Sequence, residues 1–82
     1  MRPKAIDVNV LNNYELLIKF DNGEKRVFDV KTYFGHKIFD ELKDIKMFQT
    51  VKISGLSIEW DNGADICPDE LYNESKELDS DI

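Results

Sequence analysis

The chain has 82 residues, of which 41% are hydrophobic and 34% are charged, and its formal net charge is −6. A chain of this length forms one small domain that buries only about 60–65% of the surface it exposes when unfolded. The negative charge argues against direct binding to nucleic acid and to anionic membranes, because both need a basic protein surface.

Two half-buried strands are predicted at the start of the chain. Apolar and polar residues alternate over residues 3–11 and again over residues 14–20, which is the pattern of a strand with one buried face. Asn12 and Asn13 lie between the two runs and are a turn signal. We therefore expect the two strands to be antiparallel neighbours.

The tripeptide Asp-Asn-Gly occurs twice, at residues 21–23 and 61–63, and each copy separates two apolar runs. Asn-Gly is a strong hairpin signal because both residues tolerate a positive φ. In the first hairpin the chain turns into a third strand over residues 24–29. The matching hexapeptides 18–23 and 58–63 record either an internal duplication or two independent uses of a good turn.

The apolar residues indicate the register of the second hairpin. A two-residue loop would place Ile58 opposite Cys67, whereas a three-residue loop with Gly63 in the left-handed conformation places Ile58 opposite Ile66. A slip of one residue turns a whole strand over, so the apolar match decides between the two. We prefer the three-residue loop, which gives one buried face.

Residues 30–49 change to helical spacing and are predicted to form one or two short helices that cover a sheet face. Residues 50–54 alternate again and predict a short strand before the second hairpin. A last helix is predicted to begin at Pro68, where no backbone N–H is needed. Cys67 falls at the cap position of this helix, where Ser, Thr, Asp or Asn would be better.

The order of elements is three strands, helices, two or three strands and a helix. Such segregated runs predict an α+β fold, with small antiparallel sheets built from the two Asp-Asn-Gly hairpins plus short helices. We assign residues 1–76 to a single domain. Residues 77–82 are acidic and unpatterned, so we expect them to form a flexible tail.

No catalytic residues are predicted. Cys67 and His36 are the only cysteine and the only histidine, so a nucleophile–base pair would need these two side chains in contact. His36 stands in a polar turn next to Gly35, and we expect an exposed loop histidine and a half-buried cysteine instead. A lone cysteine also excludes an intramolecular disulfide.

No cofactor or metal is predicted either. Acidic residues cluster around the second hairpin, but calcium takes roughly six to eight oxygen ligands from a preshaped loop, and the spacing here matches no such loop. The four glycines are isolated in the sequence and form no phosphate-binding cradle.

Three segments resemble a known bacterial family, the Domain of Unknown Function 2442. They are Asn-Tyr-Glu-Leu at residues 13–16, the strand-turn-strand ending in Phe-Asp at residues 20–29, and Ile-Glu-Trp-Asp-Asn-Gly-Ala-Asp-Ile-Cys-Pro-Asp-Glu-Leu-Tyr at residues 58–72. The resemblance runs from about residue 3 to residue 75. It implies a small α+β protein without an established activity or defined catalytic residues, and Ser is usual where Cys67 stands.

The resemblance also implies a binding role. Some members are thought to lie beside small toxin-like partners, which suggests an antitoxin-like function. Others carry an additional helical region associated with DNA binding, for which little of this chain remains after residue 75. We therefore expect no direct binding to nucleic acid.

Our leading hypothesis is a non-enzymatic protein-interaction module that binds a small basic protein. The predicted partner surface consists of Glu59, Asp65, Asp69 and Tyr72. The alternative is a regulatory domain that acts on DNA through an oligomer or a DNA-binding partner. No apolar run approaches the roughly 18 residues of a membrane span, and no signal-peptide core follows the first residues. We expect a cytoplasmic protein, and a homodimer is left open.

Overall fold

The computed structural model describes residues 3–78 and contains two antiparallel sheets and several short helices. The first sheet has the strand order β1-β2-β3-β7. Its strands are β1 (Ala5–Val10), β2 (Glu15–Phe20), β3 (Lys25–Asp29) and β7 (Lys76–Glu77). The second sheet has the order β4-β5-β6. Its strands are β4 (Lys52–Ser54), β5 (Ser57–Glu59) and β6 (Asp65–Ile66). The predicted α+β class with small antiparallel sheets is confirmed.

The first hairpin joins β2 to β3 through the turn at residues 21–23. Leu16 lies opposite Phe28 and Ile18 opposite Arg26, so the apolar residues of β2 face the core. β1 pairs with the other edge of β2, and its register is interrupted between Ala5 and Asp7. A bulge of this kind bends an edge strand and makes it a poorer template for further pairing.

The second hairpin joins β5 to β6. Ile58 lies opposite Ile66 and Glu59 opposite Asp65, which is the register of the three-residue loop. Gly63 has a φ of +93° and donates its backbone N–H to the carbonyl of Trp60 at 3.0 Å. Glycine adopts this conformation at little energetic cost because it has no Cβ atom.

The segment between the sheets is a series of single helical turns. It contains 3₁₀ turns at Val30–Tyr33 and Glu41–Lys43 and the helices α1 (Lys37–Asp40) and α2 (Ile45–Phe48). Asp29 and Asp44 cap two of these turns by accepting hydrogen bonds from the backbone N–H two residues further on. Capping by short acidic side chains stabilises turns that are too short to be stable alone.

One hydrophobic core lies between the sheets and these turns. Its largest fully buried side chains are Trp60, Phe20, Phe28, Phe48, Leu16, Ile18, Leu42, Ile58, Leu71 and Val30. Leu71 comes from α3 (Pro68–Asn73), which begins at the predicted proline. The aromatic residues of the sequence are therefore used mainly as core.

The chain returns to the first sheet after α3. Glu77 lies opposite Arg26 in β7, and the backbone N–H of Leu78 donates to the carbonyl of Lys25 at 2.8 Å. The predicted tail at residues 77–82 therefore begins inside a strand, because β3 offered an open edge. Its residues 79–82 lie outside the described part of the chain.

Candidate functional site

The outer face of the second sheet is polar because side chains alternate along its strands. Ile58 points into the core and is 1% exposed, so its neighbours Ser57 and Glu59 point to the opposite face. Ser54 lies opposite Ser57, and Asp65 lies opposite Glu59. We call Ser54, Ser57, Glu59 and Asp65 the acidic sheet face.

Glu59 and Asp65 are like charges on directly opposite positions of two strands. Such a pair is destabilising. The Glu59 carboxylate accepts a hydrogen bond from the Ser54 hydroxyl at 2.6 Å. Lys52 also lies opposite Glu59, but its Nζ lies 3.4 Å from the carboxylate of Asp61. Within residues 3–78, no ion pair neutralises either carboxylate of the acidic sheet face.

A shallow depression of about 140 Å³ lies on this face. Its lining includes Ser57, Glu59 and Asp65, with Leu56 and Pro68 at its side. Ser57 is only 5% exposed, and its hydroxyl has no hydrogen-bond partner within the described residues. A buried hydroxyl left without a partner costs about 1–3 kcal/mol relative to a satisfied one.

The apolar side of the depression is Leu56, in the turn between β4 and β5. It is 52% exposed, the largest exposed fraction among the exposed large hydrophobic residues of the described chain. An exposed leucine beside two carboxylates supplies both the apolar and the charged contacts that a partner surface needs. Neither Leu56 nor Ser57 was predicted as a site residue, although the alternation around Ile58 places Ser57 on the same face as Glu59.

The structure brings together only part of the predicted partner surface. Glu59 and Asp65 lie side by side, and Asp69 is exposed in the first turn of α3, next to Pro68. Tyr72 lies apart from this face. Its ring packs edge-on against Phe20 in β2, with 5.1 Å between ring centroids, and so contributes to the packing of the first sheet.

Tyr72 belongs to a polar cluster at the first hairpin. Its hydroxyl donates to the Glu24 carboxylate at 2.8 Å, and the Arg26 guanidinium lies over its ring, 4.1 Å from the centroid. Arg26 Nε also donates to Glu24 at 2.7 Å. The hydrogen bond from Tyr72, together with those from Arg26 and Asn22, lowers the pKa of Glu24. This arrangement fixes the edge of the first sheet against α3.

A second tyrosine ties α3 to the helical segment. The hydroxyl of Tyr33 donates to the Glu70 carboxylate at 2.8 Å. Burial, reinforced by this hydrogen bond and by the negative charge of Glu70, raises the pKa of Tyr33. Tyr33 therefore stays neutral and acts as a hydrogen-bond donor throughout the physiological range.

Cys67 and His36 are both exposed and lie at the starts of two different helices, α3 and α1. Cys67 is exposed and makes no side-chain hydrogen bond at the start of α3, so the expectation of a half-buried cysteine was wrong. The reason is that Ile66 turns into the core and leaves the next residue pointing to solvent. His36 is exposed at the start of α1 and likewise makes no side-chain capping hydrogen bond.

No group of three or more histidine, cysteine, aspartate or glutamate side chains in residues 3–78 is arranged to hold a metal ion. No helix in the same range is long and apolar enough to cross a membrane.

Fold and surface together define a small α+β protein with two antiparallel sheets, one of which carries an acidic outer face. The chain belongs to the family described as "Protein of unknown function (DUF2442)", whose model matches residues 5–77. The match begins at the first residue of β1 and ends at the last residue of β7, so it spans every strand of the described fold. Comparisons with curated proteins and with solved structures gave no match.

Proposed function

We propose that this chain is a non-enzymatic, cytoplasmic protein-interaction module whose acidic sheet face binds a small basic protein, in the manner of an antitoxin. The observation that carries the proposal is the opposed pair of Glu59 and Asp65, neither of which forms an ion pair within the described residues, since Lys52 opposite Glu59 interacts with Asp61 instead. A lysine or arginine from a partner would relieve the repulsion between these carboxylates.

The charges around the face support the same conclusion. Lys52, the lysine opposite Glu59, lies with its Nζ 3.4 Å from the Asp61 carboxylate. Net charge of −6 accelerates the encounter with a basic partner through long-range attraction. Leu56 then supplies apolar contact at the edge of the face, where it is 52% exposed.

The test measures binding of a capped peptide rich in lysine and arginine by isothermal titration calorimetry. The double variant Glu59→Gln/Asp65→Asn removes both charges and keeps the shapes of the side chains. Asp7→Asn/Glu74→Gln is the matched control, because it changes net charge by the same amount at two exposed positions that do not line the depression. We expect the first variant to weaken binding about tenfold and the control to weaken it much less.

Salt dependence separates site-specific binding from general attraction. At about 0.15 M ionic strength the screening length is about 8 Å, so charges at a distance contribute little. If both double variants lost affinity equally at this ionic strength, the peptide would be responding to net charge alone and the proposal would be wrong.

A further inference from the structure

We infer that the depression on the acidic sheet face is a subsite for a single arginine side chain of the partner. Its guanidinium would lie between Glu59 and Asp65 and donate a hydrogen bond to the hydroxyl of Ser57. This inference rests on the proposed function and names the group that the site recognises.

The independent observation is the buried hydroxyl. Ser57 is 5% exposed, lines the depression and has no hydrogen-bond partner within the described residues. Glu59 is half-buried and Asp65 is exposed, so Ser57 forms the floor and the two carboxylates form the walls. A bound donor would satisfy a hydroxyl that folding has already removed from water.

The arrangement of acceptors favours arginine over lysine. Opposite residues on paired strands have Cβ atoms about 4.5–5.5 Å apart, so two carboxylates at such positions can be bridged by one planar group. A guanidinium carries five N–H donors in a fixed fork and is more weakly hydrated than an ammonium. It can therefore reach both walls and the floor at once, whereas the compact lysine ammonium loses more hydration to enter the same depression.

One carboxylate is already held in place for this role. Ser54 donates its hydroxyl to Glu59 at 2.6 Å, which restricts that side chain and leaves its remaining acceptor capacity for a ligand. Leu56 and Pro68 border the depression and offer an apolar surface to the methylene groups of the arginine stem.

The experiment is an NMR titration of the ¹⁵N-labelled chain with N-acetyl-arginine amide and, separately, with N-acetyl-lysine amide. We expect saturable shifts at the amides of Ser57, Glu59 and Asp65 with the arginine compound. The lysine compound should bind at least about threefold more weakly. Equal binding of the two compounds would overturn the assignment to arginine.

Variants at Ser57 test the floor of the site. Ser57→Ala should weaken binding of the arginine compound about tenfold without lowering Tm, because the hydroxyl contributes no hydrogen bond to the fold. Ser57→Thr keeps the hydroxyl and should retain most of the affinity. An alanine variant that binds arginine as well as the unsubstituted chain does would overturn the inference.

The two proposals fail in different ways. If the basic peptide binds through Glu59 and Asp65 but Ser57→Ala has no effect, the arginine subsite is wrong and the interaction module stands. If neither the peptide nor the arginine compound binds at the acidic sheet face, the proposed function itself is wrong.

Discussion

The indole of Trp60 donates its Nε1–H to the backbone carbonyl of Phe48 at 3.0 Å. The two side chains also stack, with 6.2 Å between ring centroids, and both are almost fully buried. The next residue continues the contact, since the backbone N–H of Asp61 donates to the hydroxyl of Thr50 at 3.0 Å. The second hairpin is thus fastened to the end of α2 by packing and hydrogen bonds together.

Replacing Trp60 should therefore affect the whole fold. Trp60→Ala is expected to lower the free energy of unfolding by about 3–5 kcal/mol, because it removes the largest buried side chain. Trp60→Phe keeps an aromatic ring but leaves the Phe48 carbonyl without its donor, which should cost about 1–3 kcal/mol. Equilibrium unfolding in urea measures both values, and a loss below 1 kcal/mol for the alanine variant would contradict the assignment of Trp60 to the core.

The cap of α3 offers a stabilising substitution. Cys67 occupies the N-cap position with φ −59° and ψ 134° and makes no side-chain capping hydrogen bond. Cys67→Ser should raise the free energy of unfolding by about 0.5–2 kcal/mol, because a serine hydroxyl accepts from the backbone N–H groups of the first turn. Cys67→Ala is the matched control and should give no comparable gain. Equilibrium unfolding in urea measures the free energy of unfolding of both variants. Equal stability of the serine and alanine variants would show that a serine at this position does not cap the backbone N–H groups of the first turn of α3.

The glycines of the two hairpins should respond alike to a Cβ atom. Gly23 has a φ of +91° and Gly63 a φ of +93°, and a Cβ atom at either position meets no other atom within 4 Å. The cost of Gly23→Ala and of Gly63→Ala is therefore backbone strain alone, about 1–2 kcal/mol each. Thermal unfolding of the two single variants tests this. A much larger loss of stability at one of the two positions would show that the positive φ alone does not explain the need for glycine there.

The cluster around Glu24 should make stability depend on pH. Its pKa lies below the ordinary value of 4.5, with the Tyr72 hydrogen bond as the largest cause. A lowered carboxyl pKa in the folded state means that the stabilisation is present above pH 4.5 and is lost as the pH falls through the lowered value. The advantage in Tm of the unsubstituted chain over Glu24→Gln should therefore shrink as the pH is lowered from 7 toward 3.

Tyr72→Phe is the control for this pH dependence. It keeps the ring contacts with Phe20 and Arg26 and removes only the hydroxyl. We expect the dependence of Tm on pH below 4.5 to become weaker in this variant. An unchanged profile would mean that the Tyr72 hydroxyl does not set the pKa of Glu24.

The hairpins were readable from the sequence because their determinants are local. Apolar matching across each Asp-Asn-Gly turn selects one register, and the structure pairs Leu16 with Phe28 and Ile58 with Ile66. The opposed carboxylates Glu59 and Asp65 follow from the same register. The predicted position of Pro68 at the start of α3 also agrees with the structure.

Other features of the structure depend on tertiary contacts and could not be predicted from local sequence patterns. Tyr72 was predicted to be part of a partner surface, but its environment depends on which sheet α3 approaches. The strand β7 forms because the edge of β3 is open to it, and two residues of Lys-Glu carry no strand pattern of their own. Ser57 could be placed on a face by alternation, whereas its burial without a hydrogen-bond partner depends on the surrounding residues.

The sequence by itself determined two hairpins and an α+β class, because turn chemistry and side-chain periodicity act over a few neighbouring residues. Only the tertiary structure decided that the similar segments 18–23 and 58–63 enter different sheets, one paired with β1 and the other with β4. It also decided that the Ser57 hydroxyl, two residues before Glu59, is buried without a hydrogen-bond partner among the described residues. Those outcomes depend on contacts between distant parts of the chain, which no local pattern specifies.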